Sequence, residues 1–134
     1  MFKREKGFTL IELIMVIVLL GLLAVVAIPQ YTGLQNQANV AAEQGVVGGV
    51  RSGIYTKYAA NLANGVTPAY PALLGGTAAT ACSVAAPCFA NVLSQPITQS
   101  WSCLTAGLTY RGPSNATNVY TYDPVAGTFT QTTP

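Results

Sequence analysis

Glu12 stands alone as a carboxylate inside an apolar run that extends from Phe8 to Ile28. A charge in a membrane-length segment costs on the order of a few kcal/mol at mid-bilayer, so such a residue is normally kept because something pairs with it. Ion pairing in a dry environment is therefore the chemistry open to Glu12. Catalysis is not open to the chain on these residues. It has no histidine, and beyond residue 7 its acids are Glu12, Glu43 and Asp123, which make neither a triad nor a paired-carboxylate site. Gly48-Gly49 and Gly75-Gly76 lack the Gly-Lys-Ser/Thr ending of a phosphate loop. An EF-hand would need several acids within a dozen residues. The three cysteines, Cys82, Cys88 and Cys103, have neither histidine partners nor a C-x-x-C spacing, which argues against zinc. No metal, cofactor or enzymatic activity is expected.

The element that carries Glu12 reads as a helix of membrane length. Phe8 to Ile28 is 21 residues, or about 31 Å at the helical rise, close to the hydrocarbon thickness. Lys3, Arg4 and Lys6 precede it, and positive flanks stay cytoplasmic. Residues after about Gln30 then lie outside the inner membrane, in an oxidising compartment where cysteines pair. An ordinary secretory signal peptide is the plainer alternative, with Val25-Val26-Ala27 as a cleavage region. Its apolar core would be only about 7–15 residues, without an acid. A plain membrane anchor explains the length and leaves Glu12 without a purpose.

Lys6-Gly7-Phe8-Thr9-Leu10-Ile11-Glu12-Leu13 resembles the type III signal of type IV pilins and type II secretion pseudopilins. The resemblance is specific from Lys3 to about Tyr31, roughly a quarter of the chain. It implies cleavage between Gly7 and Phe8 by a prepilin peptidase, N-methylation of Phe8, and use of Glu12 in filament assembly. The implied partners are like subunits in a homo-oligomeric filament, the peptidase, the inner-membrane assembly machinery, and the inner membrane itself before assembly. The implied fold is α+β and pilin-like: a long N-terminal helix packed against a small antiparallel sheet.

Along the chain this gives residues 1–7 as a cleaved leader, 8–30 as a transmembrane and filament-core helix, and 31–64 as the amphipathic second half. Pro29 should end or kink the first segment, since it lacks an N–H and clashes with the preceding turn. Val47, Val50, Ile54, Tyr58 and Leu62 recur at helical spacing and form one apolar face. Asn64-Gly65 supplies a stop. Gly45, Gly48, Gly49 and Gly53 each cost roughly 1 kcal/mol in a helix interior. They permit either close packing of the β-domain or extension of this stretch. Residues 65–107, punctuated by Pro68, Pro71, Gly75-Gly76, Pro87 and Pro96, read as a disulfide-containing loop region with one short helical turn at 89–93. Residues 108–134 read as antiparallel sheet, with strands at 108–110, 119–122 and 128–131 and a turn at 123–127.

Cysteine pairing stays open between two arrangements. Cys88–Cys103 closes the longer loop and is favoured by chain entropy. Cys82–Cys88 is preferred because Ala85-Ala86-Pro87 turns tightly, leaving Cys103 as a small buried apolar group. Asn115-Ala116-Thr117 matches a glycosylation sequon of the kind that arises by chance. From Phe8 onward Arg51, Lys57 and Arg111 balance Glu12, Glu43 and Asp123. With no basic stripe, nucleic acid is not an expected partner. The aromatics fit strands and interfaces better than a stacking surface.

The preferred function is a structural pilin subunit, an inner-membrane protein that later forms an extracellular filament. A periplasmic pseudopilin of a secretion or DNA-uptake system is the first alternative. Ile28-Pro29-Gln30-Tyr31 looks more like a pilin, and the acid-rich calcium loop of major pseudopilins is missing. A minor tip pilin acting as a binding module is the alternative of another class, although no charge cluster supports it.

Overall fold

The computed structural model describes residues 7–114 and 117–132. The basic cluster Lys3, Arg4 and Lys6 lies outside the described residues, as do Asn115 and Ala116 of the sequon. The chain divides into two compact units, residues 1–37 and 38–134. One helix, α1 (Leu10–Ala63), contributes to both. It does not end at Pro29, which lies inside it. A proline removes one backbone bond locally, and the helix-forming residues on either side continue the ladder. Thr32 Oγ donates to the Pro29 carbonyl at 2.8 Å. In the first unit every described side chain is exposed, and this part of α1 is long and apolar enough to cross a membrane.

In the second unit α1 buries Glu43, Val47, Val50 and Ile54, at steps of four, three and four residues. Tyr58 is half-buried and packs on Tyr70 with ring centroids 4.4 Å apart. Leu62, expected on this face, is exposed. The buried face therefore begins one turn earlier than its apolar residues suggested and ends one turn sooner. The helix stops in a Schellman arrangement. Gly65, at φ +69°, donates to Leu62 O at 3.1 Å, and Val66 donates to Asn61 O at 2.9 Å.

Five antiparallel strands follow in sequential order: β1 (Thr80–Ala81), β2 (Ser102–Thr105), β3 (Thr109–Arg111), β4 (Val119–Asp123) and β5 (Thr128–Thr132). Two of them fall in the stretch read as loop. β2 escapes notice because only Trp101 and Cys103 mark its inward face before the chain turns at Gly107. β1 is too short to carry any period. The β4–β5 hairpin turns through Asp123, whose side chain accepts from Val125 N at 2.8 Å and Ala126 N at 3.3 Å. The expected turn at 89–93 is a single one, closed from Leu93 N to Phe89 O at 2.9 Å.

The core is aromatic. Phe89 lies 4.1 Å from Tyr110, 5.5 Å from Trp101 and 5.8 Å from Phe129 between ring centroids. Truncating one such ring to alanine typically costs about 3–5 kcal/mol. The tyrosines also tie down the long connection. Tyr110 OH donates to Gly75 O at 2.5 Å, and Tyr122 OH donates to Pro71 O at 2.7 Å. These bonds satisfy hydroxyls that burial would otherwise penalise.

The four glycines in the second unit's part of α1, Gly45, Gly48, Gly49 and Gly53, differ. A Cβ at Gly53 would overlap the Val92 carbonyl oxygen and stand 3.0 Å from its carbon, whereas one at Gly45 or Gly48 would meet nothing within 4 Å. Close packing therefore accounts for Gly53 and not for Gly45 or Gly48. Gly53→Ala should destabilise the second unit by about 1–3 kcal/mol. Gly45→Ala should stabilise it by up to about 1 kcal/mol. Thermal melts of the two variants, as full chains in detergent, should move in opposite directions.

Candidate functional site

Thr9 is the N-cap of α1 and Glu12 its third residue, the T-x-x-E spacing of a capping box. Thr9 N donates to Glu12 Oε2 at 2.9 Å and Thr9 Oγ donates to the same oxygen at 2.8 Å. In return Glu12 N approaches Thr9 Oγ at 3.4 Å. Two otherwise unpaired donors at the helix start are thereby satisfied, and the carboxylate acquires a defined orientation. It retains acceptor capacity for further donors. Gly7, Phe8, Thr9 and Glu12 line one open notch. Gly7, Phe8 and Glu12 are thus brought together, and Thr9, which sequence reasoning passed over, joins them. Its signal was legible in Thr9-Leu10-Ile11-Glu12. A Cβ at Gly7 would meet nothing within 4 Å, so the chain's own packing does not require glycine there. Pro29 stands farther along the helix, and the cysteines lie in the second unit.

A second carboxylate is handled differently. Glu43 is 2% exposed. Its Oε2 accepts from Ser114 N at 2.8 Å and Ser114 Oγ at 2.6 Å, and its Oε1 accepts from Tyr120 OH at 2.6 Å. Asn118 Nδ2 stands 3.5 Å from Oε1. Burial alone would raise this carboxyl, but the bonds from Ser114, Tyr120 and Asn118 outweigh it and hold Glu43 below the ordinary carboxylate range. Tyr120 moves the other way. Burial, then the bond to Glu43 and that group's charge, push its hydroxyl up to about 12, with Arg51 opposing. Sequence reasoning missed Glu43 because an acid one turn before Val47 reads as a solvated helix position.

Cys82 and Cys88 are joined, with Cα atoms 5.4 Å apart. Ser83 and Ala86 exchange backbone bonds at 3.1 and 3.2 Å across the enclosed turn. Cys103 is free and fully buried, with its Sγ 3.2 Å from Thr105 O.

Residues 2–28 match the family described as the prokaryotic N-terminal methylation motif. The chain is 49% identical over 49 residues to the type IV narrow pilus major component PilA5 of Thermus thermophilus, covering 37% of this chain and 42% of that protein. It is 42% identical over 56 residues to the type IV major fimbrial protein FimA of Dichelobacter nodosus, covering 42% of this chain and 36% of the relative. It is also 42% identical over 43 residues to the type II secretion system core protein G of Pseudomonas aeruginosa, covering 32% and 30%. The chain thus spans about two fifths or less of the length of these curated relatives. No solved structure gives a significant match.

The cysteine arrangement is open to direct measurement. Peptide mapping without reduction should return Cys82 linked to Cys88. Cys103 should react with iodoacetamide only after denaturation, because a fully buried thiol is out of reagent's reach. A peptide linking Cys103 to either partner would contradict the structure.

Proposed function

We propose that the chain is a filament-forming pilin subunit, because residues 2–28 match the N-terminal methylation motif and the N-terminal part is similar to type IV pilins and to a type II secretion core protein. A prepilin peptidase cuts between Gly7 and Phe8, and Phe8 becomes the methylated N-terminus. Before assembly residues 8–30 hold the subunit in the inner membrane, with the second unit outside. The assembly machinery then moves it into an extracellular filament.

One observation carries this reading: an apolar helix, exposed from Phe8 to Ile28, that has a single carboxylate near its head. Such a helix cannot face water after leaving a bilayer. A bundle of equivalent helices buries it again. At ~25 cal/mol per Å², burying ~1,000 Å² of apolar surface supplies roughly 25 kcal/mol before the entropic cost of association. The contact is head-to-tail and does not close on itself, so it propagates as a filament. Glu12, oriented by Thr9, meets the cationic Phe8 amine of a neighbouring subunit, where the dry surroundings strengthen the pair and set register.

The similarity to core protein G supports a second reading, a subunit of a short secretion pseudopilus. The two differ in where the filament ends and in how abundant the chain is within it. Mass spectrometry of filaments sheared from cells distinguishes them and tests methylation of Phe8 in the same measurement.

Gly7→Val should leave a full-length, membrane-held precursor and no filaments. The space around Gly7 is open within the chain, so the block would arise at the peptidase, which needs close backbone approach. Mature-size protein in this variant would contradict the proposal.

Glu12→Gln, expressed as the sole copy, should be inserted and cleaved normally yet yield few or no filaments. Leaving the amine buried without a counter-charge costs about 3–5 kcal/mol per subunit. Normal filaments made of the variant would remove Glu12 from assembly. Uncleaved precursor would assign it to peptidase recognition instead.

A further inference from the structure

Glu43 is a buried charged group that the proposed function leaves unused. Among the described residues, the bonds it accepts come from neutral donors: Ser114 N–H and O–H, the Tyr120 hydroxyl and the Asn118 amide. Glu43 stands on α1, Tyr120 on β4, and Ser114 and Asn118 lie in the connection between β3 and β4. One carboxylate therefore ties helix to sheet across 71 to 77 residues of sequence. It is also confined: a Cβ at Gly112 would lie 2.8 Å from Glu43 Cγ.

This donor set suits an ionised carboxylate best, since its partners donate to both oxygens. Protonation turns one oxygen into a donor and weakens the other as an acceptor. A hydroxyl facing the new donor must rotate to accept and so give up its own bond to Glu43, and the Ser114 backbone N–H, which cannot reverse, is left on a poorer acceptor. We infer that Glu43 is an acid-released latch, whose protonation frees Tyr120 and Ser114 from α1 while the sheet itself stays formed. The aromatic cluster around Phe89 and the Val50 and Ile54 contacts need no proton to be lost or gained, so they persist.

The surrounding groups do not compete for this role. Tyr120 titrates at about 12. Arg51, on α1, gives its Nε to the Phe129 carbonyl of β5 at 2.9 Å. Arg111, which ends β3, is exposed. Asp123, the other carboxylate of this unit, sits at the far end of β4 in the hairpin turn. The folded Glu43 carboxyl lies below its ordinary value, near 4.3 in an unfolded chain. Its stabilisation is therefore complete above that range and disappears as pH falls through the lowered folded value.

The fold contains its own reporter. Trp101, the sole tryptophan, packs on Tyr120 with ring centroids 5.6 Å apart. The full chain in detergent micelles is titrated from neutral pH down to about pH 2.5, well below the ordinary carboxylate range, following Trp101 emission and far-ultraviolet circular dichroism. The latch requires a reversible, one-proton change in emission below that range, with the dichroism unchanged. Glu43→Gln should show acid-like emission at every pH, and Asp123→Asn should titrate as the parent chain does. Collapse of the dichroism together with the emission overturns the proposal, as does a transition retained in Glu43→Gln or lost in Asp123→Asn. If Glu43→Gln does not fold, a carboxyl ¹³C titration of the parent chain decides. The Glu43 carbon must titrate together with Trp101 emission, and separate titrations overturn the latch.

Discussion

Water solvates the apolar side chains from Phe8 to Ile28 poorly, and no described residue of the first unit buries them. Most of what is particular to this chain follows from that constraint. An uncovered apolar helix needs either lipid or other helices, and the proposed function has the same surface serve both in succession. The composition of the second unit is compatible with such crowding. With three cations and two anions among residues 38–134, it brings little net repulsion to a subunit stacked beside its copies.

Glu12 and Glu43 are two answers to one problem, a carboxylate in apolar surroundings. At Glu12 the donors among the described residues are local, from Thr9. Those bonds orient the group and leave capacity for a partner from outside. At Glu43 the chain supplies donors from a strand and a connection far away in sequence, and the group is complete within the fold. An acid satisfied by its own turn remains available for the assembly contact proposed for it. One satisfied by the tertiary structure becomes part of it. The distinction lies in where the donors come from: Glu43 is buried in the fold, whereas Glu12 is exposed in the single chain and would be desolvated only by lipid or by the contact proposed for it.

The second unit is small for its task, and it combines several modest devices. An aromatic cluster replaces a large aliphatic core. Buried hydroxyls hold the Pro-rich connection at Pro71 and Gly75. The disulfide closes a six-residue separation beside β1, where a two-residue strand has few backbone bonds of its own. Gly53 lets the chain at Val92 come close to α1, which accounts for one glycine in a helix that propensity alone disfavours.

Features that depend on neighbours along the chain were legible in the residues. The length of the Phe8–Ile28 run, the face at Val47, Val50 and Ile54, the stop at Gly65 and the β4–β5 hairpin all follow from periodicity or turn chemistry. The same local logic held Thr9 and Glu12 as a capping box, although the greater weight of the apolar run obscured it. Of the two readings of Pro29, an end or a kink, the first does not occur, because one missing backbone bond does not end a helix whose flanks favour it.

What the tertiary structure alone decided is whatever rests on partners distant in sequence. β1 and β2 exist because Thr80 and Ala81 meet Cys103 and Ser102, and β2 in turn meets β3; no run of β-branched residues announces either strand. Leu62 is exposed and Glu43 buried, against their polarity, because burial depends on where the sheet lies and on whether donors await the charge. By itself the sequence determined the apolar helix, its single acid and the pattern at its head, since these need nothing beyond one turn of chain. The environment of Glu43 required the fold, because only packing brings together groups tens of residues apart, whereas the Cys82–Cys88 pairing, preferred from the local turn at Ala85-Ala86-Pro87, is the one the structure contains.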